Sequence, residues 1–366
     1  MKKKTCILIK LSLMMGVLLI FTISCKKGDG SNTPPAVINQ EPYLETSVVS
    51  EITTVSAVGG GIYHGDLDVN GVVEKGLCWI TNVSPQIGNG VTGAGSLSND
   101  GFVFHLTELI PDTKYYVRAY LKHPYSLPIY GNEVSFTTSK VLPITFNPLV
   151  KYGNMTDLDG NIYKTVIIGA QTWMAENLRT TKCKDGTPIP YVADANAWYN
   201  LYTPGYCWFN NLIIYKTSRG ALYNWYTIDT GKLCPVGWHI PAVAEWKILI
   251  DYLGGEIVAQ GKLKETGTSH WLSPNTNATN ESGFTALPGA IRYYDGSYDY
   301  WYYIIDRGSW WSAGPGGGGG RYDSKGRAHD EMAGGLFLTN DNYNSGCSQG
   351  FTITRENGAS VRCIKD

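Results

Sequence analysis

The chain has few charged residues and lacks an apolar run of 20 residues. Only 17% of its 366 residues are Asp, Glu, Lys or Arg, below the roughly one quarter that is usual in globular proteins. Disordered chains combine high charge with few apolar residues. Because 43% of this chain is hydrophobic, disorder driven by charge is excluded. The chain is therefore expected to fold, and its length corresponds to about two domains.

A surplus of positive charge is also missing. The formal net charge is −1, and 26 basic against 31 acidic residues, a net charge of −5, remain once the four lysines of residues 1–24 are set aside. Nucleic-acid binders usually carry the opposite sign, so nucleic acid is not expected as a partner. The abundant residues are instead Gly and Tyr, with 43 and 25 copies. They favour strands and long turning loops over helical bundles.

Metal-binding and catalytic motifs are scarce. The sequence has no CxxC pair and no cysteine–histidine cluster at zinc spacing, so neither a metal nor a cofactor is expected. None of the six histidines lies in a nucleophile motif such as GxSxG. We interpret His239, between Trp238 and Ile240, as a structural hydrogen-bonding residue rather than a base. The protein is therefore predicted not to be an enzyme.

The segment Asp157–Asn161, DLDGN, is the one stretch that suggests calcium. It lacks the spaced acidic ligands and the terminal Glu of an EF-hand loop. Asp-Gly between two strand-like runs is instead a hairpin signal. We predict a turn joining strands Met155–Asp157 and Ile162–Ile168.

The N-terminus predicts export. Three lysines, Lys2 to Lys4, precede an apolar stretch from Leu11 to Ile23, the pattern of a secretory signal peptide. The alternative, an N-terminal anchor helix, requires about 20 apolar residues, and this stretch is shorter. Residues 1–24 are therefore interpreted as a signal peptide.

The residues Thr22-Ile23-Ser24-Cys25 resemble a bacterial lipobox, in which lipid is attached to the cysteine. Lys26 to Pro35 then reads KKGDGSNTPP, a polar run suited to a flexible tether. We expect residues 25–44 to be a lipidated Cys25 and its tether, anchored to the bacterial outer membrane. Lys26 and Lys27 stand where surface-exported lipoproteins of Bacteroidetes often have acidic residues, so the membrane face stays open.

Residues 45–139 predict an all-β sandwich. Short apolar runs such as Ile52–Val58 and Val72–Ile80 alternate with turn signals, among them Gly59 to Gly61. Between Leu109 and Ala119, apolar side chains fall on alternate positions, so one face is predicted to be buried. Residues 140–151, with Pro143 and Pro148, are predicted to be a stiff linker.

The run from Leu109 to Tyr120 resembles the fibronectin type III signature around its tyrosine corner. Residues Tyr130–Thr138 are similar to the closing strand of that family, and Gly76–Trp79 to a central strand with Trp79 in the core. The resemblance implies a fibronectin type III-like domain that acts as a spacer.

Residues 152–366 form the second predicted domain. Within it, residues 241–255 are predicted to be an amphipathic helix, with Pro241 in its first turn and Gly254 at its end. A series of further motifs carries a family resemblance. They are, in order, Asp157–Tyr163, Trp173–Leu178, Gly205–Trp208, Gly220–Trp225, Cys234–Pro241, Gly283–Gly289, Trp310–Ser312 and Ser360–Cys363.

This series resembles the Fibrobacter succinogenes major paralogous domain, which is similar to C-type lectin-like and formylglycine-generating-enzyme folds. The resemblance implies an α+β domain with one or two helices on twisted antiparallel strands, in a bacterial envelope protein. It implies no assigned reaction. Calcium-dependent C-type lectins use a Glu-Pro-Asn or Gln-Pro-Asp loop, and neither tripeptide occurs here, so any glycan binding is expected to be independent of calcium.

An aromatic segment between Ile291 and Trp311 is the candidate binding site. Aromatic rings stack on a ligand while neighbouring charges fix its orientation. We interpret Trp310 and Trp311 as packing residues of the family motif, and for the tyrosines surface recognition and core packing both stay open. The candidate ligand-binding residues are Arg292, Tyr293, Tyr294, Tyr298, Asp299, Tyr300, Trp301 and Tyr302.

Six cysteines remain after Cys6 and Cys25, and spacing alone allows 15 pairings. The lectin-like resemblance implies that the two ends of the domain lie side by side, which pairs Cys234 with Cys363. Cys183 and Cys347 depart from the family pattern and are the next expected pair. Cys207 is then unpaired, and Cys78 is a buried small hydrophobe.

Three functions follow in order of preference. The first is a lipid-anchored recognition protein that binds a glycan or a surface protein. The second is a structural component of the cell surface without a small ligand. The third is an enzyme related to formylglycine-generating folds that uses Cys347.

Overall fold

A computed structural model describes residues 41–66, 69, 71–90, 95–98, 100–298, 306–315, 321–322, 328–329, 333–341 and 351–366. The fold is rich in β-structure and contains several sheets. The strands of the N-terminal part are β1 Tyr43–Thr46, β2 Ala57–His64, β3 Glu74–Ile80, β4 Gly95–Ser98, β5 Gly101–Leu106, β6 Lys114–Lys122, β7 Ile129–Tyr130 and β8 Val134–Thr137.

These eight strands form two antiparallel sheets. One has the order β1-β2-β5-β4, and in the other β6 pairs with β3 on one side and with β7 and β8 on the other. Their inner faces share one apolar core that includes Leu77, Trp79, Phe102 and Val117. The predicted alternation holds, because Leu109, Tyr115, Val117 and Ala119 are all buried. Trp79 and Cys78 are buried as well, as predicted.

The glycine run Gly59–Gly61, predicted to be a turn, lies instead inside strand β2. A Cβ on Gly61 would sit 2.6 Å from Cε1 of Phe102, and one on Gly59 would sit 3.0 Å from Leu77 Cδ1. Glycine is therefore needed here because neighbouring side chains pack directly against the strand backbone. The turn falls earlier, between Glu51 and Ser56.

The second part of the chain contains strands, short helices and long structured loops. Its strands are β9 Gly153–Thr156, β10 Ile162–Ile168, β11 Gln171–Met174, β12 Tyr206–Trp208, β13 Ala221–Asn224, β14 Trp238–His239, β15 Arg307–Pro315, β16 Arg321–Tyr322, β17 Ala328–His329, β18 Ala333–Thr339, β19 Phe351–Ile353, β20 Gly358–Ala359 and β21 Ile364–Lys365. Its helices are α1 Ala195–Tyr199, α2 Lys216–Arg219, α3 Trp225–Asp229, α4 Val243–Tyr252 and α5 Glu256–Leu263.

A five-stranded sheet with the order β14-β21-β11-β10-β9 organises this part. Alternate residues of β10 and β11 enter two different cores: Tyr163 and Met174 enter one, and Val166 and Trp173 enter the other. The sheet is therefore covered on both faces. Strand β21 near the chain end pairs with both β11 and β14, which places the end of the domain beside its beginning.

Helix α4 confirms the predicted amphipathic helix, with Trp246, Leu249 and Ile250 buried. It begins at Val243 with Ala242 as its N-cap, so the placement of Pro241 in the first turn was wrong. Glu245 caps the helix by accepting from the backbone N–H of Ala242 at 2.8 Å. Proline is accommodated because it stands before the cap, where the missing N–H costs nothing.

The two parts are in contact through the loop before β2 and through the linker. Val55 packs against Phe209, Tyr215 and Ala290. In the linker, the carbonyl of Leu142 lies 3.0 Å from His270 Nε2. Among the described residues, no helix has the length and apolar character needed to cross a membrane.

Candidate recognition site

Arg292 holds the aromatic segment from inside the domain. Its side chain is fully buried, and its guanidinium donates to the carbonyls of Val192 at 2.5 Å and Ala193 at 2.7 Å. The same group lies over the ring of Trp198, 4.5 Å from the centroid. Arg292 was predicted to contact a ligand, but burial gives it a structural role: it ties the segment to the loop before α1.

Tyr298 also packs inward. Its hydroxyl lies 2.9 Å from Asn211 Oδ1 and 3.0 Å from the carbonyl of Trp208, and its ring meets Phe209 edge to face at 5.9 Å. Burial raises the pKa of Tyr298, and the neighbouring Cys207 raises it further. Of the two interpretations left open by the sequence, core packing describes this tyrosine.

Residues Tyr293 to Ser297 form a tight turn on this fixed base. The backbone N–H of Tyr293 donates to the carbonyl of Ser297 at 2.8 Å, and that of Gly296 donates to the carbonyl of Tyr293 at 2.9 Å. Gly296 has φ +82°, and a Cβ there would lie 2.5 Å from Ala195 Cα, so only glycine fits. Tyr293 and Tyr294 are half-buried at the start of the turn. We call Tyr293–Ser297 the tyrosine turn.

The other predicted residues of the segment divide into two groups. Trp310 and Trp311 are fully buried, as expected for packing residues. Their indole N–H groups donate to Asn177 Oδ1 at 2.8 Å and to the carbonyl of Tyr223 at 2.7 Å. The second group, Asp299, Tyr300, Trp301 and Tyr302, lies outside the described residues.

Arg362 is a second buried arginine, and the sequence reasoning gave it no role. Its side chain is fully buried, with Nε donating to Asn177 Oδ1 at 2.9 Å and Nη2 to the carbonyl of Thr285 at 2.8 Å. Nη1 donates to the carbonyl of Phe284, whose ring lies 4.1 Å below the guanidinium. Burial lowers the pKa of Arg362 to about 9. Its place in the motif Ser360–Cys363 was the signal available in the sequence.

The Fibrobacter succinogenes major domain is the family whose model matches the chain, over residues 166–365. The chain belongs to this family. No curated protein and no solved structure matches it. Residues 152–366 are called the major domain from here on, and residues 41–139 the sandwich.

The major domain buries a lysine and a glutamate next to each other at the end of α5. Lys264 Nζ donates to the carbonyls of Thr276 at 3.0 Å and Thr339 at 2.9 Å, and burial lowers its pKa to about 8. Glu265 accepts from the backbone N–H of Thr145 at 2.6 Å and pairs with His270 at 2.7 Å. Sequence reasoning missed both residues, because nothing in the local pattern marks a charged pair as buried.

The carboxylates of the segment Asp157–Asn161 are used within the major domain itself. Asp157 accepts from the backbone N–H groups of Asp159 and Asn161, both at 2.9 Å, and from the Tyr163 hydroxyl at 2.6 Å. Asp159 accepts from the Thr181 hydroxyl at 2.9 Å. The predicted turn between β9 and β10 is confirmed.

His239 joins the chain end to helix α4. Its Nδ1 lies 2.7 Å from Asp366 Oδ1 and its Nε2 lies 2.9 Å from Glu245 Oε1. Burial acts to lower the pKa of His239, but the hydrogen bonds to Asp366 and Glu245 outweigh it and raise the pKa. His239 thus makes hydrogen bonds of the kind predicted for it, and the prediction that it is not a base stays a prediction.

The predicted disulfide between Cys234 and Cys363 is present. Cys78 and Cys207 are buried and, as predicted, have no disulfide partner within the described part of the chain. Cys183 is buried and has no disulfide partner among the described residues, and its expected partner Cys347 lies outside them, so that pairing stays a prediction. Burial raises the pKa of all three thiols, that of Cys78 to about 11, so none of the three is a ready nucleophile at neutral pH.

Proposed function

We propose that the chain is a lipid-anchored bacterial outer-membrane protein whose major domain recognises a glycan or a surface protein without calcium. The signal-like residues 1–24, Cys25 in its lipobox-like context and the polar tether that follows support the anchor. The absence of Glu-Pro-Asn and Gln-Pro-Asp tripeptides from the sequence supports independence from calcium.

The sandwich is proposed to be a fibronectin type III-like spacer. Its sheet orders β1-β2-β5-β4 and β3-β6-β8 follow the ABED and CFG arrangement of immunoglobulin-like sandwiches. The Tyr115 hydroxyl accepts from the backbone N–H of Ile110 at 2.9 Å, which is the hydrogen bond of a tyrosine corner. Both features favour this assignment and the resemblance from which it began.

The major domain is proposed to have a C-type lectin-like fold. Its chain ends meet in the five-stranded sheet, where β21 pairs with β11 and the disulfide joins Cys234 to Cys363. Short helices and long loops surround that sheet. This closed arrangement supports the resemblance that predicted the fold.

The tyrosine turn carries the recognition proposal. Its base is held by the buried guanidinium of Arg292, while Tyr293 and Tyr294 are half-buried. Rigid aromatic side chains lose little conformational entropy on binding, and they dominate many recognition surfaces. A site on such a fixed base needs no reorganisation before it engages a ligand.

A glycan array and a peptide array, probed with the full mature chain, test this proposal. We expect binding to at least one glycan or peptide class that persists in a calcium chelator. Absence of binding on both arrays would overturn the recognition function. Binding that chelation abolishes would overturn the independence from calcium.

A structural role in a surface assembly is the second candidate. Ile248 and Tyr252, four residues apart on α4, are exposed, and Ile167 lies close to Tyr252 in the lining of one surface cavity. Exposed apolar side chains that lie together often mark contacts between proteins. Self-association of the mature chain in light scattering, together with silence on the arrays, would favour this role.

An enzymatic role using Cys347 is the least favoured. Burial raises the pKa of Cys78, Cys183 and Cys207, which disfavours these three thiols as nucleophiles and leaves Cys347 as the cysteine to test. Alkylation of the native protein decides the point. Rapid modification of Cys347 would restore this candidate, and an unreactive thiol would remove it.

Mass spectrometry of the membrane fraction tests the anchor separately. We expect a mature chain that begins at lipidated Cys25. A chain that still begins at Met1 would contradict this expectation.

A further inference from the structure

A groove of about 300 Å³ runs between the sandwich and the major domain. The loop Ile52–Thr54 and the linker residues 139–142 form one wall, and Tyr215, Ser218 and the loop 268–270 form the other. Small-molecule sites usually have volumes of about 300–1,000 Å³ and are common at domain interfaces. The groove is therefore large enough for one sugar-sized ligand and too small for a long chain.

The walls of the groove are rich in hydroxyl groups. More than half of the lining side chains are Ser, Thr or Tyr, and apolar contact comes from Ile52, Val141 and Leu142. Ser218 is 4% exposed, and its Oγ makes no hydrogen bond within the described part of the chain. Because a buried hydroxyl without a partner is costly, this atom is placed to bond a ligand.

The ionisable side chains that line the groove are basic, apart from Tyr215. Lys140, Arg219 and His270 line it, and none of the described lining side chains is a carboxylate. His270 is held by Glu265 behind it. Among the described residues, Lys140 pairs with Asp112 at 3.6 Å, and both side chains are exposed. Such exposed pairs contribute little. A protein of net negative charge thus carries a basic groove, which favours an anionic ligand.

The floor of the groove is fixed. Tyr215 packs edge to face on Phe209 at 5.0 Å, and Phe209 packs on Tyr298 of the aromatic segment. The guanidinium of Arg219 lies over the Tyr215 ring at 5.3 Å and donates to the carbonyl of Pro288 at 2.9 Å. The Tyr215 and Arg219 side chains at the floor are therefore fixed by their neighbours.

We propose that this groove binds a saccharide residue that carries a carboxylate, such as a uronic acid. Hydroxyl walls exchange donors and acceptors with the ring hydroxyls of a sugar, and the exposed ammonium of Lys140 supplies the positive charge that attracts the carboxylate. This site is distinct from the tyrosine turn and does not depend on recognition at that turn.

Calorimetric titration of the full mature chain with methyl β-D-glucuronide and with methyl β-D-glucoside tests the proposal. The two ligands differ at C6 alone, which is a carboxylate in the glucuronide and a hydroxymethyl group in the glucoside. We expect the glucuronide to bind at least about tenfold more tightly, a preference that falls as salt rises. Equal affinities, or no binding of either ligand at millimolar concentration, would overturn the proposal.

Two groove variants and one control test whether the ligand binds in the groove. Lys140→Glu should weaken glucuronide binding about tenfold through charge reversal, while Lys151→Glu, an exposed lysine outside the lining, should leave it nearly unchanged. Thr54→Trp should fill the groove and abolish binding with little change in thermal unfolding. Unchanged affinity in both groove variants would contradict the assignment. Glycans captured on the array through the tyrosine turn would be unaffected by either variant, so the two proposals fail separately.

Discussion

The sandwich and the major domain provide hydrogen-bond partners for their buried backbone groups in different ways. Among the described residues of the sandwich, the buried polar side chains are Thr46 and Thr138. Most of its backbone N–H and C=O groups are paired by hydrogen bonds between neighbouring strands. The major domain buries Arg292, Arg362 and Lys264, and each of these donates to backbone carbonyls. Buried carbonyls need donors. A domain built from loops therefore obtains them from long cationic side chains.

This difference explains why the major domain can hold non-repetitive loops in fixed positions. Arg362 joins the loop at Phe284–Thr285 to Asn177 near the end of β11, and Arg292 joins the tyrosine turn to Val192 and Ala193. Removing one such donor should therefore destabilise the major domain. The sandwich should respond to packing defects instead.

Removal of the disulfide should have the largest effect. In Cys234→Ala with Cys363→Ala, a constraint between residues 129 positions apart is lost. The unfolding free energy of the major domain should fall by about 4–5 kcal/mol, measured by urea unfolding followed by near-UV circular dichroism. Cys207→Ala, which removes a buried thiol without a disulfide, should cost about 1 kcal/mol. Equal losses in the two proteins would contradict the role of the bridge.

Arg362→Met should have the next largest effect. It leaves the carbonyls of Phe284 and Thr285 and the Asn177 side chain without their donor, so we expect a loss of about 3 kcal/mol. The matched change in the sandwich is Arg118→Met. Arg118 is half-buried and donates to the carbonyl of Gly131 at 3.0 Å, so its loss should cost about 1 kcal/mol. Similar values for the two arginines would remove the distinction between the domains.

Gly61→Val tests the packing of the sandwich. The new side chain must enter the space of the Phe102 ring, and overpacking of this kind costs about 2 kcal/mol. Ile62→Thr, at the exposed neighbouring position, should change stability by no more than about 0.5 kcal/mol. Thermal unfolding measures both variants. A neutral Gly61→Val variant would show that the close approach is not needed.

His239 should give the smallest effect, visible as a pH dependence. Its folded-state pKa is raised, so protonation stabilises the fold below the ordinary pKa of about 6.5, and the contribution is lost as pH rises through the folded pKa. The stability difference between the wild-type chain and His239→Gln should be largest near pH 5–6 and shrink by about pH 8–9. A difference that grows with pH would contradict the pairing with Glu245 and Asp366.

The sequence predicted best those features that repeat locally or that form a family motif. Alternation between Leu109 and Ala119 located a buried strand, and the amphipathic pattern of residues 241–255 located helix α4. The lectin-like resemblance implied the pair Cys234–Cys363, which is present. Gly59–Gly61 was misassigned because the reason for glycine is the ring of Phe102, about 40 residues away. Whether a glycine ends a strand or admits a neighbour depends on contacts that local pattern does not contain.

The candidate site was predicted less well for the same reason. Arg292 and Tyr298 were candidate ligand-binding residues because they lie where aromatic and charged residues alternate, and for Tyr298 core packing stayed open. Their partners Val192, Trp198 and Asn211 are distant in sequence. Charge and aromatic content identify residues able to bind a ligand. They do not show whether that capacity is already used inside the domain.

The central claim is that the major domain recognises its ligand through a turn held rigid from below. It is tested most directly by titrating the strongest array ligand into the wild-type chain and into Tyr293→Ala with Tyr294→Ala. Tyr125→Ala, a fully exposed tyrosine on the sandwich, is the matched control. We expect at least about a tenfold loss of affinity in the double variant, none in the control, and the same unfolding midpoint in all three. Unchanged affinity in a folded double variant would contradict the claim.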